Sequence, residues 1–356
     1  MKILYGVQGT GNGHITRARV MAQAFSKRQD VKVDFLFSGR PEGKYFDMQV
    51  FGQYQCRRGL TFVNRQGAID RWQTLRSAKP RELLRDIKAL DLSQYDLVLN
   101  DFEPITAWAA RKQQRPCISI SHQASFTHNI PKLQNSVANR LLMKYFAPAN
   151  IHLGVHWYHF GHAIMPPFVE DEQSHNEEGK DILVYLPFED LQDIAALLDP
   201  ITEVNFICFH PDVDKEVADD HIHWRRPCKD GFHQVLQQSA GVIANGGFEL
   251  SSECLKLGKK LLLKPLKGQF EQLSNVLTLE QLGLCQSMNV LDTEEVEQWL
   301  EMAPAEPIGF PSDPQLLIDW LLTGEWQDTR SICQQLWQQV DFPEPLKRRL
   351  ENLTPA

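Results

Sequence analysis

The sequence predicts an α/β protein of two domains, each built on a mainly parallel sheet. Three observations carry that prediction. Strand-like apolar runs alternate with helix-like ones through the first half of the chain, the signature of βαβ units. The alternation lapses over the weakly hydrophobic stretch EDEQSHNEEGKD, residues 170 to 181, and then restarts. The length, 356 residues, suits two domains of roughly 100 to 200 residues each.

The elements follow in chain order. KILYGV (2 to 7) is short, apolar and closed by glycine, so it reads as a first strand rather than a leader peptide. ITRARVMAQAFSKR (15 to 28) has a helical pattern, VKVDFLFSG (31 to 39) is a second strand, and a long polar, basic stretch follows. YDLVLND (95 to 101), the helix EPITAWAARKQQ (103 to 114) and the strand PCISIS (116 to 121) continue the alternation. HLGVHWYHFGH (152 to 162) reads as a strand running into a hinge. Past the acidic stretch come the strands DILVYLPF, VNFICFH, HIHWRRP, GVIANGG and KKLLLKP, with helical segments between most of them. The tail carries three helical patterns, QLLIDWLL, TRSICQQLWQQV and EPLKRRLENL, that can pack across both domains. The expected boundaries are 1–165, a linker at 166–180, 181–325, and a helical tail at 326–356.

Composition excludes several classes. Hydrophobic residues make up 42% and charged residues 23%, ordinary for a globular protein, and no apolar run approaches the ~20 residues of a membrane span. Seven cysteines, widely spaced and without a CxxC pair, suggest neither a disulfide framework nor a zinc site, so a cytoplasmic setting is expected. Charge is uneven: residues 1 to 150 hold 23 Lys and Arg against 11 Asp and Glu, and the remainder 14 against 34. The excess is densest from Arg57 to Lys88, which is either a solvated helix face or a patch for an anionic membrane surface or phosphorylated acceptor.

Chemistry is expected where the strands end. After the first strand, GVQGTGNGH places Gly6, Gly9, Gly11 and Gly13 within eight positions and His14 directly behind them. So many residues without a Cβ imply close backbone approach or repeated positive φ. Gly9, Thr10, Gly11, Asn12 and Gly13 then form an acceptor or phosphate loop at a helix N terminus. The spacing is neither GxGxxG nor GxxxxGK[ST], which argues against a dinucleotide or a cleaved triphosphate. His14 can take a proton from a hydroxyl, and Asp101 or Glu103, ending another strand, can hold its second ring nitrogen. The carboxylates can equally cap the helix that begins at Pro104. His122 and Gln123 end a third strand and are expected to line the same cleft.

The second half offers GVIANGGFELSSECLKLGKKLLLKPLKGQFEQLSNV, residues 241 to 276. Asn245, Gly246 and Gly247 end a strand, a helix starts near Phe248, and its N terminus can cradle a diphosphate. Glu253, Glu271 and Gln272 can take ribose and sugar hydroxyls. This stretch resembles the donor-binding signature of GT-B glycosyltransferases, both the UDP-glycosyltransferase superfamily and the MurG-type N-acetylglucosaminyltransferases. Gly247, Glu253 and Gly258 fall at the matching intervals, as do Glu271, Gln272 and Asn275. GTGNGH is similar to the glycine-rich first loop of the MurG-type enzymes, and His14 with Asp101 is similar to the catalytic dyad of UDP-glycosyltransferases. One departure is Asn245, which stands where plant-type members carry a histidine.

The resemblance implies two Rossmann-like domains facing a cleft. It implies a hexosyltransferase that moves a hexose or N-acetylhexosamine from a nucleotide diphosphate sugar, UDP-linked, to a hydroxyl with inversion. The acceptor is expected to be a lipid-linked or polysaccharide glycan of the cell envelope, met in the cytoplasm with peripheral docking on the inner face of the membrane. No cofactor, metal or nucleic acid is expected. Asp212-Val213-Asp214 is a DxD and His152, His156, His159 and His162 lie close in sequence, but neither spacing makes a persuasive metal set. Two rival functions remain: a nucleotide-sugar 2-epimerase of the same fold, which SGRPE at 38 to 42 faintly echoes, and a non-catalytic sugar-nucleotide-binding protein.

Overall fold

A computed structural model describes residues 1–45, 47–60, 64–65, 68–69, 79–133, 141, 143–171 and 179–353. Residues 172–178 of the expected linker, and Arg71 and Arg76 of the basic stretch, lie outside the described residues.

The first sheet is built from β1 (Lys2–Gln8), β2 (Lys32–Ser38), β3 (Tyr54–Arg57), β4 (Leu97–Asp101), β5 (Cys117–Ser121), β6 (Ile151–Val155) and β7 (Ile164–Met165). Their spatial order is β3-β2-β1-β4-β5-β6-β7, parallel throughout. The central strands are buried on both faces, so they read as continuous apolar runs. Helices α1 (Asn12–Ser26), α2 (Pro80–Ala89), α3 (Pro104–Gln113) and the single turn α4 (His122–Ser125) belong to this sheet. The edge strand β3 and α2 emerge from the stretch that the sequence marked only as polar and basic.

The second sheet holds β8 (Ile182–Tyr185), β9 (Phe206–Phe209), β10 (Val217–Asp219), β11 (Ile222–Arg225), β12 (Gly241–Ala244), β13 (Lys260–Leu263) and β14 (Gln286–Ser287). The order is β10-β11-β9-β8-β12-β13-β14, with only the exposed edge strand β10 antiparallel. Its helices are α5 (Leu191–Leu198), α6 (Lys229–Gln238), α7 (Phe248–Lys256), α8 (Phe270–Leu282) and α9 (Thr293–Leu300).

The tail supplies α10 (Gln315–Thr323), α11 (Thr329–Trp337) and α12 (Glu344–Glu351). Two of these return to the first sheet's unit. Arg28 at the end of α1 pairs with Asp319 of α10 at 2.5 Å, and the Trp337 indole of α11 donates to the Ile164 carbonyl at 2.6 Å. Helix α12 packs on α8 instead. Among the described residues no helix is long and apolar enough to cross a membrane.

One buried apolar cluster runs through both units, so the two sheets meet along a packed seam. Aromatic rings fill it: His122 stacks on Phe248 with centroids 4.0 Å apart, Trp157 lies 4.7 Å from Phe248, and Phe126 meets Phe270 edge-on. The Trp157 indole donates across the seam to the Ser252 hydroxyl at 2.8 Å, which satisfies a polar group that burial would otherwise strand.

Candidate active site

Strand register brings the first residues together. Val7 pairs with Asp101 across β1 and β4, so the chain leaves β1 into the glycine loop directly beside that carboxylate. Helix α1 starts within this loop, and its third residue is His14. The His14 Nδ1–H donates to Asp101 Oδ1 at 2.7 Å. With that proton committed, the neutral imidazole carries its lone pair on Nε2.

Asp101 is fully buried. Burial pushes its carboxyl up, but Arg17 and His14 together outweigh that and hold it below the usual carboxylate range. Arg17, one turn after His14 on α1, donates its Nε–H to Asp101 Oδ2 at 3.0 Å. Its Nη2 lies 2.9 Å from Glu249 Oε1 in the first turn of α7. That contact is a close approach of charges rather than an aligned hydrogen bond, because Glu249 Oε1 has no partner in hydrogen-bond geometry. His14, Asp101, Arg17 and Glu249 thus form one chain of groups that crosses from the first unit to the second.

Two more links cross the seam. Gln123 Nε2 donates to Glu271 Oε2 at 3.0 Å and lies 3.5 Å from His14 Nε2. His122 Nδ1 lies 2.8 Å from the Val155 carbonyl, and its Nε2 lies 2.6 Å from Asn275 Oδ1. Asn275 in turn donates Nδ2 to the Gly246 carbonyl at 3.0 Å. The expected cleft residue His122 is therefore buried inside the seam, with 1% of its surface exposed.

Glu103 is a correction. Its Oε1 accepts from the Ile105 amide at 2.9 Å and the Ser38 hydroxyl at 2.6 Å, and its Oε2 from the Thr106 amide and hydroxyl, both at 2.6 Å. It caps α3 and ties that helix to β2. Fully buried with both oxygens spent, it takes no part in the His14 pairing.

Of the two expectations for the glycine loop, close approach and repeated positive φ, the first holds for three of its four glycines. Gly6, Gly9, Gly11 and Gly13 all avoid the left-handed region, and close approach accounts for Gly6, Gly9 and Gly13, whereas a Cβ on Gly11 would stand in open space. A Cβ on Gly6 would collide with the Thr106 side chain, and one on Gly13 would meet Glu249 Cγ at 2.9 Å. The loop's carbonyls face a cation: Arg40 donates to the Gly9 oxygen, to Thr10 O at 3.2 Å and to Asn12 Oδ1 at 3.1 Å. SGRPE, read as a faint echo of an epimerase, is the segment that delivers this guanidinium.

On the second unit, Asn245 Nδ2 donates to the Lys264 carbonyl at 2.8 Å and its Oδ1 is buried without a partner. Gly247 is the open N-cap of α7, with no side chain bonded to the helix's first amides. Phe248, its first helical residue, packs in the aromatic seam. Glu253 lies half-buried on the same helix. Gln272 Oε1 accepts from the Leu266 amide at 2.9 Å, while Glu271 opens α8 beside Gln123. Among the described residues no group of three or more His, Cys, Asp or Glu side chains is placed to hold a metal ion, and Asp212 and Asp214 are exposed.

Arg17 and Glu249 escaped the sequence reading. A signal existed for the first: Arg17 follows His14 by three residues, so both share one face of a helix. Nothing local marks Glu249, which reads as an ordinary acid in a helix's first turn.

A family model for glycosyl transferase family 1 matches residues 1–304. No curated protein matches the chain. Among solved structures, the glycotransferase of kitacinnamycin superposes with a TM-score of 0.59 at 10% identity over 99% of each chain. LpCGTa in complex with UDP gives 0.57 at 12% identity, over 99% of this chain and 98% of that one. MurG of Acinetobacter baumannii gives 0.52 at 14% identity, over 90% of this chain and 99% of that one. At such identities the structures speak for the fold, two Rossmann-like units in the GT-B arrangement, and the family model speaks for the lineage: the chain belongs to glycosyl transferase family 1, a family of sugar-transferring enzymes.

Proposed function

We propose that this transferase moves a hexose or N-acetylhexosamine from a nucleotide diphosphate sugar, UDP-linked, to a hydroxyl of a glycan acceptor, with inversion. The observation that carries the reading is the 2.7 Å bond between His14 Nδ1 and Asp101 Oδ1, which leaves the ring's lone pair on Nε2, 3.5 Å from the Gln123 amide nitrogen. His14 Nε2 takes the acceptor's proton as its oxygen bonds to the anomeric carbon. The bond from that carbon to the diphosphate breaks, and its electron pair leaves with the phosphate. Asp101 stabilises the imidazolium. The open N terminus of α7 at Gly247 faces the developing negative charge and lowers its energy, a role that requires no cofactor in this scheme. Attack opposite the leaving group inverts the carbon.

Asn245, Gly246, Gly247 and Glu253 are the groups assigned to diphosphate and ribose, and Glu271, Gln272 and Asn275 those assigned to the sugar. Structural neighbours bound to UDP and to DTDP support a nucleotide diphosphate donor. The basic first half supports an anionic acceptor, such as a lipid-linked or phosphorylated glycan at the inner face of a membrane.

A thermal-shift panel of UDP, dTDP and their sugars, run beside a transfer assay, tests the reading. UDP at 100 times its Kd should stabilise the protein by roughly 2.7 kcal/mol. His14→Ala and Asp101→Asn should lower transfer by about 10²- to 10⁴-fold and keep the UDP shift. Full transfer by His14→Ala would overturn the mechanism. Sugar conversion with donor alone would favour an epimerase.

A further inference from the structure

We propose that Gln123, carried by the first sheet, contacts the transferred sugar and selects it together with Glu271 of the second unit. The inference rests on the transferase reading above. Gln123 is placed by rigid structure: it lies in the single turn α4 directly after β5, where the Ser121 hydroxyl accepts from the Ala124 amide at 3.2 Å. Only 4% of its surface is exposed.

Its amide has one possible orientation. An ionised carboxylate only accepts, so the end that meets Glu271 Oε2 at 3.0 Å is the NH₂ group. The same nitrogen stands 3.5 Å from His14 Nε2, the atom assigned to receive the acceptor's proton. The Gln123 oxygen is consequently turned the other way, where it is buried and finds no donor in the protein. A buried acceptor without a donor is a costly arrangement in a native protein, and a group that binds there gains the missing bond.

The side chain therefore joins the proton-accepting nitrogen to the carboxylate assigned to the sugar through its NH₂ group, and the same amide holds an unfilled acceptor on its other side. The chemistry that completes it is a hydroxyl donor. A pyranose with neighbouring hydroxyls offers one to Gln123 Oε1 and the next to Glu271. Because the two acceptors come from different units, the sugar subsite is complete only when the units are together. A site that hydrogen-bonds a substrate hydroxyl discriminates strongly against analogues that lack it, so Gln123 is assigned to sugar choice.

The experiment compares the full chain with Gln123→Met, which keeps the volume and removes the amide, and with Gln123→Ala. UDP alone should shift the melting temperature of all three proteins equally, which also shows that the variants fold. The additional shift given by the UDP-sugar substrate over UDP should be lost in both variants, and the donor KM should rise about 10- to 100-fold. Wild-type enzyme should reject one mono-deoxy donor at least tenfold, and the variants should treat that donor and its parent alike. An unchanged sugar-dependent shift and unchanged deoxy discrimination in Gln123→Met would overturn the proposal. Loss of the sugar-dependent shift in a protein whose transfer is indifferent to His14→Ala would keep the Gln123 contact while refuting the transfer mechanism, so the two failures are told apart.

Discussion

Glu103 shows how two acids of the same sequence motif divide their labour. Asp101 and Glu103 both follow an apolar strand, yet one faces an imidazole and the other four donors of its own unit. For Glu103, burial pushes the carboxyl up against the pull of Ser38 and Thr106 and wins. Replacement by alanine removes a helix cap worth about 1–2 kcal/mol and strands buried hydroxyls at roughly 1–3 kcal/mol more. Glu103→Ala should therefore lower the melting temperature clearly while the kcat of the folded fraction stays within about threefold of wild type. A hundredfold loss of kcat at unchanged stability would return Glu103 to the chemistry. At this scale the sequence was partly legible: His14 and Asp101 were readable because strand ends and a glycine loop announce an edge. Arg17, Glu249 and the position of Glu103 were not, because which oxygens a carboxylate faces is set by the register of β1 and β4 and by docking of the second unit.

At the level of elements, the site is made where two helix starts abut. Both α1 and α7 begin at a glycine N-cap that offers its helix no side-chain bond, so two sets of free amides and two positive dipole ends converge on one place. Gly13 is the contact point, since a Cβ there would meet Glu249 Cγ at 2.9 Å. Gly13→Ala should gain about 0.5–1 kcal/mol of helix propensity, but the methyl must displace a side chain tied to Arg17, an overpacking loss of about 1–3 kcal/mol. The loss wins, and the variant should melt lower and bind donor more weakly. Gly11→Ala, with open space around its Cβ, should show only an N-cap penalty of about 0.5 kcal/mol. Equal effects at both positions would refute the abutment. The long central strands were legible in advance because burial on both faces leaves a continuous apolar run, and the tail helices because burial on one face leaves a helical period. The edge strands were not: YQCR of β3 and VAD of β10 are short and lack that pattern, and only pairing to a neighbour makes them strands.

For the whole molecule, the seam sets a condition on catalysis. Asn275 is fully buried and Asn245 and Gln272 nearly so, hence in the proposed reaction a nucleotide sugar would reach them only if the two units part and exchange the Arg17–Glu249, Gln123–Glu271 and His122–Asn275 links. The seam is crowded with ionisable groups: Tyr5, His14, Arg17 and Asp101 face Glu249 and Glu271. Burial pushes Glu249 up to about 7, against the pull of Arg17 and with help from Asp101. Its folded-state pKa thus lies above the ordinary value of 4.5, so the folded protein holds the proton more tightly than the unfolded chain. The stability this contributes is complete below about pH 4.5 and is lost as pH rises through about 7. Asp101 has the opposite sign: held low, it contributes above the ordinary carboxylate range and loses that only in acid, so it stays constant from pH 5.5 to 8. Between pH 5.5 and 8 wild type should lose stability relative to Glu249→Gln, whose amide cannot ionise, by about 2 kcal/mol. Urea melts of both proteins at pH 5.5 and 8 measure the difference, and subtracting them cancels the histidines elsewhere in the chain. Parallel pH dependences would mean that Glu249 is ionised throughout and fully compensated by Arg17. A steeper loss in wild type would mean that rising pH loosens the seam itself, so that closure around the donor competes with the ionisation of one buried carboxylate.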